Sequence, residues 1–232
     1  MTPLVLLPGM MCDARLFAPQ LVSLPGHAVM IAPITGADTC AALAAEVLRV
    51  APARFALAGL SMGGIVAMEV MAQAPERVAG LCLMDTNPKA EHPAVAAGRE
   101  PQIERVLSGG LRAVMRDEML PAYLAEGPDR GPILETCMAM AETLGPEVFV
   151  RQSRALQTRA DRREVLRGVR VPTLVLCGAE DRLCPVHRHE GMHDLVPGSE
   201  LRVIAGAGHL PTLERPEAVT AALHAWLARV DP

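Results

Sequence analysis

A serine, an aspartate and a histidine in this sequence each follow a short apolar run. Ser61 lies within Gly-Leu-Ser-Met-Gly-Gly at residues 59–64, and Asp181 and His209 follow two later apolar runs. A serine hydroxyl becomes an effective nucleophile when an imidazole takes its proton, and a carboxylate can hold that imidazole in the required tautomer. These residue types predict acyl transfer by Ser61, with His209 as general base and acid and Asp181 as its orienting carboxylate.

The segment around Ser61 predicts a strand, a sharp turn and a helix. The apolar run at residues 55–60 passes directly into residues 65–72, which have helical apolar spacing. We expect glycine at positions 59 and 63 because side chains there would collide with the neighbouring strand and helix. The backbone N–H groups of Met62 and Met10 are the predicted oxyanion hole. The alternative is an ordinary strand-to-helix turn with an incidental serine.

Further apolar runs alternate with helical patterns along the chain. Runs of this kind indicate strands buried on both faces of a mainly parallel sheet, with helices covering both of its sides. The predicted strands are residues 4–7, 28–34, 54–60, 78–84, 172–178 and 201–205. Sites in such sheets lie at the carboxyl ends of the strands, so Gly9, Ser61, Asp181 and His209 should meet along one edge.

The alternation stops after the run at residues 78–84. The pattern is helical from there to about residue 168, with Gly and Pro pairs as punctuation. We therefore predict a helical cap at residues 88–168 over a core of residues 1–87 and 169–232. Arg151, Arg154 and Arg159 could meet a substrate carboxylate from this cap, but solvated helix faces explain them equally well, and they are not assigned to the site.

Composition disfavours several other classes of protein. The 232 residues are 50% hydrophobic and carry a formal net charge of −4, and aromatic residues make up 2%. A surface of this kind offers little to phosphates or bases, so nucleic-acid binding is not expected. No apolar stretch has membrane-spanning length. The six cysteines are scattered without a Cys-x-x-Cys pair and no signal peptide is recognised, which favours reduced thiols and a cytoplasmic location.

These motifs together resemble those of the α/β-hydrolase superfamily. The serine segment is similar to the nucleophile elbow of small bacterial esterases, enol-lactone hydrolases and haloperoxidase-like members. Residues 6–10, 175–185 and 206–216 resemble the oxyanion, acid and histidine loops. Pro8 stands where the family usually has histidine. The chain also begins at a strand that many members reach after an earlier hairpin, so about six strands are expected instead of eight.

The resemblance implies a cofactor-independent serine hydrolase that acts on a small-molecule ester, with no metal. A small carboxylic ester would be cleaved through an acyl-enzyme on Ser61. Hydrolysis of a lactone, a thioester or a carbon–carbon bond by the same residues is an alternative. A further alternative is a protein of this fold that binds a small ligand without turnover.

Two features compete with this assignment. Asp85 also follows a strand, and some members of the superfamily place the triad acid there; the match of the whole later loop favours Asp181. Residues 189–193 satisfy His-Glu-x-x-His, a zinc-protease signature. Its predicted helix is short and contains Gly191, and no third ligand follows in the usual setting, so we interpret the match as coincidence.

Overall fold

A single six-stranded sheet organises the molecule. The structure is a computed structural model that describes residues 1–24 and 26–232. The strands are β1 (Leu4–Leu7), β2 (Val29–Ile31), β3 (Phe55–Leu60), β4 (Val78–Met84), β5 (Thr173–Gly178) and β6 (Glu200–Ile204). Their order is β2-β1-β3-β4-β5-β6, and every neighbouring pair is parallel. The predicted parallel sheet of about six strands is confirmed.

Burial explains why the inner strands were recognisable as apolar runs. Every residue of β1, β3, β4 and β5 is buried, whereas β2 and β6 lie at the sheet edges and are partly exposed. An inner parallel strand packs against helices on both faces, so both sets of its side chains are apolar. The prediction for β2 was too long, because residues 28 and 32–34 fall outside the strand.

Helices cover the sheet. They are α1 (Ala18–Ser23), α2 (Cys40–Val50), α3 (Met62–Gln73), α4 (Pro93–Arg105), α5 (Leu111–Val114), α6 (Arg130–Gln157), α7 (Arg163–Arg167), α8 (Val186–Leu195), α9 (Pro211–Glu214) and α10 (Pro216–Val230). Thr39 caps α2 by accepting the N–H of Ala42 at 3.2 Å. Pro216 opens α10, where its missing N–H costs nothing. Within residues 1–24 and 26–232, no helix has both the length and the apolar character needed to cross a membrane.

The segment between β4 and β5 carries α4, α5, α6 and α7. The longest of these helices, α6, is kinked at Gly145, which has φ of 81° and precedes Pro146. Proline cannot donate the helical hydrogen bond, and glycine accepts the positive φ at the break. Gln152 of α6 joins this segment to the chain after β2, because its Nε2–H donates to the carbonyl of Ile34 at 3.0 Å.

Candidate active site

Ser61 stands at a strained turn between β3 and α3. Its φ of 54° and ψ of −115° are unfavourable for a residue with a side chain. A Cβ atom at Gly59 would overlap the backbone carbonyl of Gly63, and one at Gly63 would overlap the carbonyl of Leu7. The close packing of this turn therefore requires glycine on both sides of the serine.

Ser61, His209 and Asp181 form one chain of hydrogen bonds. His209 Nε2 lies 2.8 Å from Ser61 Oγ, and His209 Nδ1 lies 2.8 Å from Asp181 Oδ2. The carboxylate can only accept, so Nδ1 carries the proton and Nε2 accepts the serine hydroxyl. Ser61 follows β3, Asp181 follows β5 and His209 follows β6, so the carboxyl ends of the strands bring together the three residues predicted as the triad.

The carboxylate of Asp181 is held on both oxygens. Oδ1 accepts the backbone N–H groups of Leu183 and Cys184 at 2.8 and 2.9 Å, while Oδ2 faces His209. Burial alone would raise the pKa of Asp181, but the hydrogen bond and charge of His209, together with these two N–H donors, lower it. Asp181 is therefore an ionised partner for the imidazole at neutral pH.

A second carboxylate fixes the loop that carries His209. Glu214 of α9 accepts the backbone N–H groups of Gly208, Leu210 and Ala125 at 2.8 to 3.1 Å. The N–H of His209 itself donates to the carbonyl of Tyr123 at 2.6 Å, and the two rings lie 5.7 Å apart. The histidine is thereby clamped to α9 on one side and to residues 123–125 on the other.

Met10 and Met62 present backbone N–H groups beside the serine. Met62 is the first residue of α3, and neither its N–H nor that of Met10 has an acceptor among the described residues. Met10 follows Gly9, where an added Cβ would lie 3.5 Å from Ser61 Cβ. Gln152 Oε1 accepts the N–H of Met11 at 2.8 Å and so supports this loop from α6.

Asp85 takes a different position from Asp181. It is fully buried at the end of β4 with φ of 44°, and its Oδ1 accepts the N–H of Gly178 at 2.8 Å. Burial, followed by the negative charge of the neighbouring Asp181, raises the pKa of Asp85 well above its usual value. The structure thus places Asp181, and not Asp85, against His209.

The two histidines of the His-Glu-x-x-His match make separate contacts. His189 is fully buried and its Nε2 accepts the N–H of Thr86 at 3.0 Å, whereas His193 Nδ1 lies 2.8 Å from Ser199 Oγ. Burial lowers the pKa of His189 to about 4, which keeps that ring neutral. Within residues 1–24 and 26–232, the sole cluster spaced for metal binding is Asp181, Cys184 and His209, which overlaps the triad.

Comparison with known proteins identifies the family. The model of the alpha/beta hydrolase family matches residues 4–222 of the chain. The chain belongs to the α/β-hydrolase family. The resemblance inferred from the sequence motifs is confirmed.

Similar proteins include named esterases. A pimeloyl-[acyl-carrier protein] methyl ester esterase from Neisseria meningitidis is 29% identical over 209 residues, covering 86% of this chain and 78% of that protein. A thermophilic esterase from Thermogutta terrifontis, in a malate-bound structure, has a TM-score of 0.91 at 30% identity and covers 99% of this chain and 90% of its own. An enol-lactonase from Burkholderia xenovorans LB400 shares the fold, with a TM-score of 0.85 at 23% identity over 98% of this chain and 92% of its own.

In this α/β-hydrolase Ser61 lines a cavity of about 890 Å³. Both apolar and charged side chains line this cavity. The apolar lining includes Met10, Met62, Ile65, Met119, Tyr123 and Leu156, and the charged lining consists of Lys89, Glu91, Arg99, Glu118, Arg159 and Arg188. A cavity of this size suits a small molecule with an apolar portion.

Several residues of this α/β-hydrolase site carry no sequence signal. No local pattern marks Gln152 or Tyr123, and Arg99 and Glu91 look like ordinary surface charges in the sequence. Among the three arginines left unassigned, Arg159 lines the cavity, whereas Arg151 donates to the carbonyl of Thr35 and Arg154 pairs with Glu100.

Proposed function

We propose that this α/β-hydrolase cleaves a small carboxylic ester by acyl transfer to Ser61. The observation that carries the proposal is the unbroken hydrogen-bonded chain from Asp181 through His209 to Ser61 on the wall of a cavity. The esterase names of its relatives support the same reaction class.

In the first half-reaction Ser61 Oγ attacks the ester carbonyl carbon. As that bond forms, the hydroxyl proton passes to His209 Nε2 and the carbonyl electrons move to the oxygen. The N–H groups of Met10 and Met62 receive the developing negative charge, and each such donor stabilises the transition state by roughly 3 kcal/mol. The C–O bond to the alcohol then breaks, and His209 returns the proton to the leaving oxygen.

The second half-reaction releases the acid. Water enters, gives a proton to His209 Nε2 and attacks the acyl carbon. The bond from this carbon to Ser61 Oγ breaks, and the serine recovers its proton from His209. Asp181 remains ionised throughout and stabilises the imidazolium formed in each half.

Labelling with a fluorophosphonate tests the nucleophile. The probe should modify Ser61, as mapped by peptide mass spectrometry, because its phosphorus takes the place of the ester carbonyl carbon. Ser61→Ala should abolish labelling, and Ser108→Ala, which removes an exposed serine three residues after α4, should label as the wild type does. Labelling at any residue other than Ser61 contradicts the proposal.

Turnover is measured with 4-nitrophenyl esters of graded acyl length. We expect Ser61→Ala to lower kcat by at least about a thousandfold, and Asp181→Asn to lower it by about ten thousandfold because the amide favours the wrong imidazole tautomer. Equal rates for wild type and Ser61→Ala would leave a ligand-binding protein without turnover.

A further inference from the structure

A buried carboxylate lies between two arginines on the cavity wall. Glu91 Oε2 is 2.5 Å from Arg99 Nε, and Glu91 Oε1 is 3.0 Å from Arg159 Nη1. The Glu91 side chain is 4% exposed, and those of Arg99 and Arg159 are 13% and 10% exposed. Both carboxylate oxygens are thus engaged, one by each guanidinium.

This cluster is short of negative charge. Two guanidinium groups share one carboxylate, which leaves one uncompensated positive charge in a place that is largely withdrawn from water. Burial lowers the pKa of Arg159, Glu91 opposes that effect, and the charge of Arg99 adds to it. The guanidinium groups carry more N–H donors than Glu91 and the carbonyl of Lys89 occupy.

The rest of the cavity wall does not supply the missing negative charge. Lys89 and Arg188 add two further cations, and the one other carboxylate among the described lining residues, Glu118, is paired with Arg105. The lining therefore carries an excess of positive charge in a chain whose net charge is −4. A positively charged cavity in a chain of negative net charge favours an anionic ligand.

The cluster and the reacting serine line the same cavity. Arg99 Nη1 lies 3.9 Å from the sulfur of Met10, the residue after Gly9, which packs against Ser61. Arg159 lies two residues after the end of α6, and Leu156 of that helix lines the same cavity. A ligand whose ester carbonyl meets Ser61 can therefore reach the arginines along an apolar wall.

We propose that Arg99 and Arg159 bind an anionic group on the substrate, so that the preferred ester is one that also carries a carboxylate. The inference rests on the proposed ester hydrolysis and specifies its substrate class. The carboxylate would accept the guanidinium donors left over by Glu91, and Glu91 would hold both side chains in position for it. A phosphate-type group shares this chemistry, and turnover of a phosphonate substrate distinguishes it from a carboxylate.

The competing explanation is that the cluster only fastens residues 89–99 to the end of α6. A purely structural cluster would affect all ligands alike when it is damaged. The quantity that separates the two explanations is therefore the ratio of the dissociation constants of an anionic ligand and of a neutral ligand of the same shape.

Binding is measured first, by calorimetry on Ser61→Ala, so that no turnover is required. The ligands are the monomethyl ester of glutaric acid and methyl 5-methylhexanoate, in which an isopropyl group replaces the carboxylate. Adding Arg99→Gln or Arg159→Gln should weaken binding of the half-ester by about tenfold to a hundredfold relative to the neutral ester, the range for a charged hydrogen bond. Arg154→Gln, which removes an α6 arginine paired with Glu100, is the matched control and should leave the ratio unchanged.

Turnover by the enzyme with Ser61 intact gives the second readout. The 4-nitrophenyl esters of the same two acids are compared with that of 4-phosphonobutanoic acid, and a higher kcat/KM for the carboxylate than for the phosphonate assigns the site to carboxylates. The reverse order assigns the same two arginines to phosphate. The advantage of either anion should shrink as salt is added.

Two results would overturn the inference. One is a wild-type preference for the neutral ligand, and the other is an equal loss for both ligands in the Arg99 and Arg159 variants. Failure of ester hydrolysis as such would appear instead as absent turnover of every ester, with the binding ratio still measurable. The two proposals therefore fail in different ways.

Discussion

Asp85 lies near Asp181, whose Oδ2 accepts the Nδ1–H of His209. Two buried carboxyl groups close together do not both ionise, because like charges repel strongly where water is excluded. Asp181 has His209 and two backbone N–H donors to stabilise its charge, and Asp85 has the single N–H of Gly178. The proton of the pair therefore resides on Asp85.

Asp85→Asn should change how stability depends on pH. A carboxyl group whose pKa is raised by folding stabilises the protein below its unfolded pKa, and this stabilisation is lost as pH rises toward the folded pKa. The wild type should therefore lose up to about 1.4 kcal/mol per pH unit above about pH 4 relative to Asp85→Asn, whose amide copies the protonated acid. Urea unfolding from about pH 5 to about pH 8 measures the difference. Parallel curves for the two proteins would mean that Asp85 is ionised.

Replacing Ser61 by glycine should stabilise the fold while removing the proposed nucleophile. The φ of 54° is strained for serine and free for glycine, so Ser61→Gly should unfold with a free energy about 1 kcal/mol higher than Ser61→Ala, after allowance for the more flexible unfolded chain. Chemical denaturation of both variants makes the comparison without the hydroxyl in either. A glycine variant less stable than the alanine variant would rule out stored strain at this turn.

Gln152→Met should impair catalysis from a position behind the oxyanion loop. The change leaves the buried N–H of Met11 and the carbonyl of Ile34 without their partner, at a cost of about 2 to 4 kcal/mol in stability. Because Met11 adjoins Met10, kcat should fall by about tenfold or more, with KM affected less. Gln157→Met, on the same helix but bonded to Ala96 and Glu100, is the control. Equal effects of both variants on kcat would show that Gln152 does not act through the loop at Met10 and Met11.

Glu214→Ala should loosen the loop that carries His209. Three backbone N–H groups lose a charged acceptor, so we expect a loss of roughly 2 to 4 kcal/mol in unfolding free energy and a fall in kcat. Glu217→Ala, an exposed acid three residues later, should stay within about 0.5 kcal/mol of the wild type. Full kcat in Glu214→Ala at a temperature where it remains folded would show that the loop holds without this carboxylate.

The sequence predicted the features that local patterns encode. Buried strands such as β4 are continuous apolar runs, and its predicted bounds, Val78–Met84, are those observed. The carboxyl-end rule for parallel sheets then brought together Ser61, Asp181 and His209 although they are far apart in the chain. Edge strands were harder, because β2 is half exposed and its apolar pattern continues beyond the residues that pair.

Contacts that depend on tertiary packing were not predictable. Gln152 reaches Met11 across 141 residues, and Arg159 meets Glu91 only because the chain returns from α6 to the connection between β4 and α4. An arginine on an exposed helix and one on a cavity wall look alike in a single sequence. The charge of the cavity, on which the proposed substrate class rests, therefore becomes apparent only in three dimensions.

Gln152 has a mechanical consequence as well. Its amide ties α6 both to the carbonyl of Ile34 and to the loop beside Met10, so an outward movement of α6 at this residue would displace the loop that carries the proposed oxyanion donor Met10. We therefore expect ligands to enter across another part of the rim. We expect the entrance near Val95 and Leu183, which line the cavity and are 52% and 38% exposed.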